Sequence, residues 1–149
     1  MKLFKSKHIG NFFYSTALKL TSQKYNINCE TDFVFLDKDL DKKINIVIGE
    51  CKTNKIMDQD DIDNLVKVKT VLDSELIKAY LLFAKTTQFI ESEIVLFKNL
   101  LTKGITPILL TTQDFETDDY YSQRGIKIPH PHAMRLEDMA SNSKVIYLS

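Results

Sequence analysis

The stretch Glu30–Thr53, ETDFVFLDKDLDKKINIVIGECKT, constrains the fold more than any other part of the chain. Two apolar runs flank the polar segment Asp37–Lys43, which is so short that it predicts an antiparallel strand pair. We expect extended structure over Tyr25–Leu36, as one bent strand or two short ones, and the next strand over Lys43–Lys52.

The second of these strands ends in an acid and an amine, Glu50 and Lys52, which alternation places on one face. They share this face with three residues that we expect to pack in the core: Ile44, Ile46 and Ile48. Unpaired burial of either charge is costly. If Asp32 lies on the neighbouring strand, two carboxylates and one ammonium converge and can hold a divalent cation and a water. The alternative is a surface ion pair between Lys52 and an acid across the strands.

The segments on either side of this pair predict helices and further strands. Apolar residues spaced three and four apart predict a first helix over about Ser6–Leu20. Asp58 has the position of a helix cap, with further acids in the first turn. The apolar run Ala79–Ala84 is typical of a strand covered on both faces, usually a parallel one.

The remainder completes an α/β pattern in which a mixed central sheet is flanked by helices. A helix over Ser92–Lys103 ends at Gly104, a residue that suits a left-handed cap, and a strand follows over Ile105–Thr111. Beyond it the pattern weakens, and we expect a short helix over Arg135–Ala140 and a last strand over Lys144–Leu148.

Length and composition favour a single domain over residues 1–149, with a core at about 6–112 and a less regular extension at 113–149. Twenty basic and 20 acidic residues balance, which argues against a passive nucleic-acid coat but leaves room for an enzyme with a local basic groove. The apolar runs are too short to span a membrane. With no secretory signal, we expect a cytoplasmic protein in which Cys29 and Cys51 are reduced, Cys51 being packed on the strand face opposite Glu50.

Asp32 followed by Glu50-Cys51-Lys52, on a hairpin between a helix and a helix–strand unit, resembles the PD-(D/E)xK nuclease superfamily, which has the restriction-endonuclease-like fold. The resemblance covers about Ser6–Thr112 and implies a core of helix, three strands, helix and strand. It implies that Asp32 and Glu50 bind Mg²⁺, with Mn²⁺ as a substitute. The Cys51 backbone carbonyl would complete the metal ligands, and Lys52 would orient or activate the attacking water. The donor chemistry suits Mg²⁺, which prefers carboxylate oxygens and retained waters.

The chain departs from the family pattern at several positions. Thr31 replaces the proline, and the predicted first helix has no acid, so Glu30 is the candidate for a nearby extra carboxylate. Gln59 matches a glutamine that some relatives place on the following helix, although an ordinary helix-start residue is the alternative. Three lysines could contact a phosphate backbone or could simply be solvated: Lys55, Lys67 and Lys69.

These residues predict a metal-dependent nuclease that hydrolyses phosphodiester bonds, with DNA favoured over RNA as the substrate. A homodimer is compatible with this function, because cutting two strands often uses two sites. The alternative is a catalytically inactive domain of the same fold that binds nucleic acid or a protein partner. An unrelated α/β binding module is a weaker alternative.

Overall fold

The computed structural model describes residues 13–38, 43–116, 120–133 and 135–149. Within these ranges the chain forms, in order, β1 (Phe13–Ser22), β2 (Ile27–Lys38), β3 (Ile44–Lys52), α1 (Gln59–Leu72), β4 (Ile77–Lys85), α2 (Glu91–Thr102), β5 (Ile108–Thr111), α3 (Thr112–Phe115) and α4 (Leu136–Tyr147). No helix in the described ranges is long and apolar enough to cross a bilayer.

The five strands form a mixed sheet in the order β1-β2-β3-β4-β5. β1 pairs with β2, and β2 with β3, in antiparallel register. The Ile44 amide donates to the Leu76 carbonyl at one end of β3, and the Thr86 amide donates to the Lys52 carbonyl at the other. Because the two strands start together and end together, β4 runs parallel to β3. The predicted α/β class with a mixed sheet is therefore confirmed.

The described residues divide into two compact units. We call the first the hairpin unit; it contains the described residues of Ile9–Cys51 and Met57–Leu82. The second, the C-terminal unit, contains those of Lys52–Ile56 and Phe83–Ser149.

The β2–β3 hairpin of the first unit follows the prediction in most respects. β2 is one continuous strand, and the part of the predicted turn at residues 39–42 lies outside the described residues. Ile46 and Ile48 are buried as expected, but Ile44 is 40% exposed, so its predicted place in the core was wrong. Asn45 and Val47 are also buried, because this strand is covered on both faces.

The predicted first helix was wrong over residues 13–20, which belong to β1; residues 6–12 lie outside the described part of the chain. Ala17 has φ +53° within this strand, a backbone conformation that is uncommon for a residue with a side chain. Before Ala17 the half-buried residue is at an odd-numbered position, Ser15. After Ala17 the half-buried residues are at even-numbered positions, Leu18 and Leu20. The two-residue alternation of a regular strand is therefore interrupted, and the spacing of apolar residues resembles that of a helix.

α1 begins where the sequence predicted and packs against β2. The Asp58 side chain accepts from the Asp61 amide at 2.9 Å, and the Asp61 side chain accepts from the Asp58 amide at 3.1 Å. This reciprocal capping box satisfies two amides that the helix start would leave without partners. The buried side of the helix carries Ile62, Leu65 and Val68.

In the C-terminal unit, α2 confirms the predicted helix, and Gly104 has the expected positive φ of 73°. β5 is shorter than predicted, since it starts after Pro107, which has no amide hydrogen for the sheet. The short helix predicted at Arg135–Ala140 is the start of α4, which runs to Tyr147. The strand predicted at Lys144–Leu148 was therefore wrong, because this segment continues α4.

A buried ion pair lies at the end of β5. The Arg124 guanidinium donates to Asp114 Oδ2 at 2.7 Å and to Oδ1 at 3.0 Å, and the Asp114 side chain is inaccessible to solvent. The Tyr147 hydroxyl donates to the same Oδ2 at 2.5 Å, while the guanidinium stacks over the Tyr147 ring at 4.8 Å. These contacts fasten α4 and the segment at Arg124 to the residues that follow β5.

We expect Asp114→Asn to destabilise the protein by about 3 kcal/mol, because it leaves the partly buried Arg124 charge without its counter-charge. Urea unfolding monitored by circular dichroism measures this change. The matched control is Glu116→Gln, an exposed acid two residues away. Equal stabilities of the two variants would contradict a structural role for the pair.

We expect Gly49→Ala to destabilise the hairpin unit by about 1–3 kcal/mol through overpacking. A Cβ at this position would lie 2.1 Å from Phe33 Cζ and 2.7 Å from the Leu82 carbonyl oxygen, and a backbone atom cannot move aside cheaply. The measurement is the urea midpoint, compared with that of Ser92→Ala at an exposed helical position. An unchanged midpoint for Gly49→Ala would refute this packing argument.

Candidate functional site

The candidate site lies where the β2–β3 ladder ends. The paired register of these strands runs from Lys38–Ile44 to Phe33–Gly49. Thr31 Oγ1 then donates to the Gly49 carbonyl at 2.7 Å and accepts from the Gly49 amide at 3.2 Å. Asp32 Oδ2 accepts from the Cys51 amide at 2.6 Å. Side chains of β2 thus bond the main chain of β3, and the last of these bonds fixes one oxygen of Asp32.

An open cavity of about 430 Å³ lies beside these residues, within the hairpin unit. Its lining comes from β1, β2, β3 and α1: Lys19, Asn28, Cys29, Glu30, Asp32, Glu50, Asp61 and Asn64. The structure therefore brings Asp32 and Glu50 to one cavity, although 17 positions separate them in the sequence. Asp32 is exposed and Glu50 half-buried, so water and solutes can reach both carboxylates.

The charge of this cavity is strongly negative. Four of its lining side chains are carboxylic acids and one, Lys19, is an amine that lies opposite Glu30 in the β1–β2 register. With all five ionised, the lining carries a net charge of −3, from four negative charges and one positive charge. Such a surface attracts cations and repels polyanions. A phosphate group could approach the carboxylates closely only if a bound cation neutralised part of this charge.

Burial and the carboxylates of this cavity both raise the pKa values of the two thiols, Cys29 and Cys51. Desolvation raises the pKa of Cys51 to about 11, and the negative charges of Asp32 and Glu50 add to the effect, although the residue as a whole is exposed. The pKa of the buried Cys29 is also raised, first by desolvation and then by Glu50, while Lys67 opposes the shift. Both thiols therefore stay protonated at neutral pH and are poor nucleophiles. The predicted burial of Cys51 on the far face of the strand was wrong, because β3 leaves its covered part before this residue.

Lys52 is the last residue of β3 and belongs to the C-terminal unit. Its carbonyl accepts from the Thr86 amide at 3.2 Å, and its side chain is half-buried. The role of Lys52 beside the attacking water stays a prediction from the sequence.

The remaining residues predicted for the site, which are Glu30, Gln59 and three lysines, lie in different places. Glu30 lines the same cavity as Asp32, as expected for residues two apart on a continuous strand. The Gln59 side chain donates to Asp63 Oδ1 at 2.9 Å on the exposed side of α1, an arrangement typical of a helix-start residue. The three lysines lie in different environments.

Lys69 Nζ donates to Asp73 Oδ2 at 2.5 Å and to the Ala79 carbonyl at 2.8 Å, so it joins the end of α1 to β4. Lys55 is exposed in the C-terminal unit. Lys67 is exposed on α1 and lines a second, smaller cavity of the hairpin unit.

Five lining residues were not predicted as site residues: Lys19, Asn28, Cys29, Asp61 and Asn64. Asn28 could have been found, since it is four residues before Asp32 on the same strand and alternation gives both the same face. Asp61 was identified only as an acid of the helix start. Lys19 and Asn64 carried no signal, because their approach depends on how β1 and α1 pack.

Asp32 and Glu50 are the side chains that could hold a magnesium ion, largely through its bound waters. In the described part of the chain, no group of three or more His, Cys, Asp or Glu side chains is arranged to hold a metal ion. Mg²⁺, however, is commonly bound by one or two carboxylates and keeps several waters. Asp32 uses Oδ2 for the Cys51 amide, which leaves Oδ1 as the oxygen suited to a cation. Asp32 and Glu50 line the same acidic, open cavity and could supply these carboxylates.

Comparison with protein-family models, with curated proteins and with solved structures found no match for this chain. The functional assignment therefore depends on the residues and geometry described above.

We expect Glu50→Gln to lower the pKa of Cys51, because a negative charge that disfavours the thiolate is removed. A pKa lowered by ~0.5 would accelerate thiol alkylation at pH 9 about threefold, since the thiolate is the reacting form. Iodoacetamide kinetics in a Cys29→Ala background isolate Cys51. Glu75→Gln, an exposed acid in the same unit, serves as the control, and identical rates for the two variants would show that Glu50 has no influence on this thiol.

Proposed function

We propose that the protein is a metal-dependent nuclease that hydrolyses phosphodiester bonds, with DNA as the favoured substrate and RNA as the lesser one. The observation that supports this most directly is that Asp32 and Glu50 line one open, acidic cavity at the end of the β2–β3 ladder. The order of elements from β1 to β4 is three strands, helix and strand. The resemblance implies this order after its first helix, but the helix predicted over Ser6–Leu20 was wrong over residues 13–20, which belong to β1.

In this proposal Asp32 and Glu50 hold Mg²⁺, or Mn²⁺ in its place, together with the main-chain carbonyl of Cys51. When bound, the ion neutralises charge on phosphate oxygens and brings a bound water closer to ionisation at neutral pH. The Cys51 amide orients the Asp32 carboxylate through its 2.6 Å hydrogen bond. Partners of this kind fix a ligand's orientation and support its affinity for metal. The main chain of Cys51 would therefore have two roles: its amide orients Asp32, and its carbonyl is a metal ligand.

Lys52 follows Glu50 by two positions on the same strand. In this mechanism it would bind the water that attacks phosphorus. Its ammonium would orient that water and stabilise the negative charge that develops on the phosphate oxygens. Water adds to phosphorus, the bond from phosphorus to the leaving sugar oxygen breaks, and the water proton passes to solvent or to the leaving oxygen. If the substrate is a duplex, a homodimer would supply one site for each strand.

A second candidate function is a catalytically inactive domain that binds nucleic acid or a protein. The specific observation in its favour is that the described residues contain no cluster of three metal-binding side chains. The two functions differ in whether Mg²⁺ binds beside Glu50. A bound ion would offset the carboxylate charges near Cys51, so the nuclease proposal predicts faster alkylation of this thiol on addition of Mg²⁺.

We expect the purified protein to cleave DNA with Mg²⁺ or Mn²⁺ and to be inactive with chelator. Asp32→Asn, Glu50→Gln and Lys52→Ala should each reduce the rate about 100-fold or more, as loss of a group that stabilises transition-state charge does. Supercoiled plasmid, single-stranded DNA and RNA are tested in parallel, with gel electrophoresis of the products. Glu75→Gln and Lys103→Ala are the exposed controls.

Cleavage that survives all three substitutions would reject this site as the source of the activity. Absence of cleavage together with an alkylation rate of Cys51 that is indifferent to Mg²⁺ would favour the inactive binding domain.

A further inference from the structure

A second cavity of about 200 Å³ lies beside the acidic cavity in the same hairpin unit. Asn28, Cys29 and Asn64 line both cavities, so the two share a wall. The second is completed by Asn26, Ile27 and Lys67. We call the two adjoining cavities together the groove; its lining residues include Asp32 and Glu50 in the first cavity and Lys67 of α1 in the second.

The chemistry changes along this groove. The carboxylates line only the first cavity, whereas the polar side chains of the second are three amides and one ammonium. Ile27 and Cys29 are buried and contribute apolar surface. The second cavity therefore offers uncharged hydrogen-bonding groups, an apolar wall and one positive charge.

The polar groups of the second cavity are available to a ligand. In the described part of the chain, the side chains of Asn28, Asn64 and Lys67 make no hydrogen bond or ion pair with other residues. Asn28 and Lys67 are exposed, and Asn64 is half-buried on α1 three residues before Lys67. Residues three apart on a helix lie on the same side, which places the amide and the ammonium together. The positive charge of Lys67 also acts on the Cys29 thiol of the shared wall.

We propose that the second cavity binds a nucleotide of the substrate strand next to the phosphate that is cleaved. Asn28 and Asn64 hydrogen-bond the edge of its base, and Lys67 binds its phosphate. The inference rests on the proposed nuclease function and adds to it a subsite for a flanking nucleotide. Each asparagine amide has both a donor and an acceptor, which is what the edge of a nucleobase requires.

The distance between Asn28 and Asp32 along β2 determines which part of the substrate each residue can contact. Asn28 precedes Asp32 by four strand residues, or roughly 13 Å. This separation is too large for the two residues to contact one phosphate, and it suits a neighbouring nucleotide. The charges agree with this assignment, because the phosphate beside Lys67 needs no metal ion while the one at the carboxylates does.

The test measures binding separately from cleavage. Fluorescence anisotropy with a fluorescein-labelled single-stranded DNA 12-mer gives the Kd in the Glu50→Gln background, where the proposed activity is removed. We expect Asn28→Ala with Asn64→Ala to weaken binding about tenfold, the equivalent of one or two hydrogen bonds. Lys67→Ala should reduce the slope of log Kd against log salt by about one, as loss of one phosphate contact does. Asn99→Ala and Lys103→Ala, both exposed, are the matched controls.

A second comparison separates base contacts from a general effect. Oligomers of dA, dC and dT should differ in Kd for the parent protein, and the difference should shrink in the double asparagine variant. With an otherwise unchanged active site, the same asparagine changes should raise KM and leave kcat within about twofold, which is the pattern of lost binding. Far-ultraviolet circular dichroism checks that each variant is folded.

The outcomes distinguish the subsite from the function on which it rests. If the asparagine and Lys67 variants bind like their controls while cleavage still needs Glu50, the subsite is refuted and the nuclease stands. If the variants weaken binding but no metal-dependent cleavage exists, the groove binds nucleic acid and the nuclease proposal fails. Equal Kd values for the three homopolymers would refute base contacts by Asn28 and Asn64.

Discussion

The hydrogen bond between Asp32 Oδ2 and the Cys51 amide is the contact on which the candidate site depends. A strand amide that loses its ladder partner needs another acceptor, either water or a side chain. Here side chains of β2 replace the main chain, with Thr31 at Gly49 and Asp32 at Cys51. The hairpin can therefore stop pairing without losing its hydrogen bonds, and the cavity lies where pairing stops. The same contact holds one acid in place beside Glu50.

The charge of the cavity follows from this geometry and limits its chemistry. Four acids and one lysine around one space repel a phosphate group unless a cation is present. A divalent ion would relieve the repulsion between the acids and create a positive centre for phosphate. The second cavity, whose one charged lining residue among those described is Lys67, has no such requirement, so the groove can offer one position for the reacting phosphate and another for a flanking nucleotide.

In the C-terminal unit, buried charges are paired with charges of opposite sign. Arg124 with Asp114, and Lys85 with Glu93, are pairs of opposite sign with little solvent contact. Lys85 Nζ donates to both oxygens of Glu93 at 2.9 Å, which satisfies the charges locally. Paired charges of this kind fix how helices meet strands, whereas the acids of the hairpin unit face an open cavity. Because its acids are accessible to solutes, the hairpin unit contains the candidate functional site.

Local patterns in the sequence were sufficient for the β2–β3 hairpin, for α1 with its cap at Asp58, and for the parallel strand β4, because each depends on residues close in the chain. They failed at β1, where Ala17 interrupts the alternation, and at the end of α4, where an apolar run fits either a strand or a helix. The sequence also identified Asp32, Glu50 and Glu30: alternation along β2 places Glu30 and Asp32 on one face, and the predicted hairpin brings Glu50 of β3 near them. Tertiary structure alone decided that Lys19, Asp61 and Asn64 join them, because β1 and α1 reach the cavity only through packing against β2. The physical reason is that alternation is a property of one strand, whereas a cavity is a property of the surfaces that several elements leave uncovered when they pack.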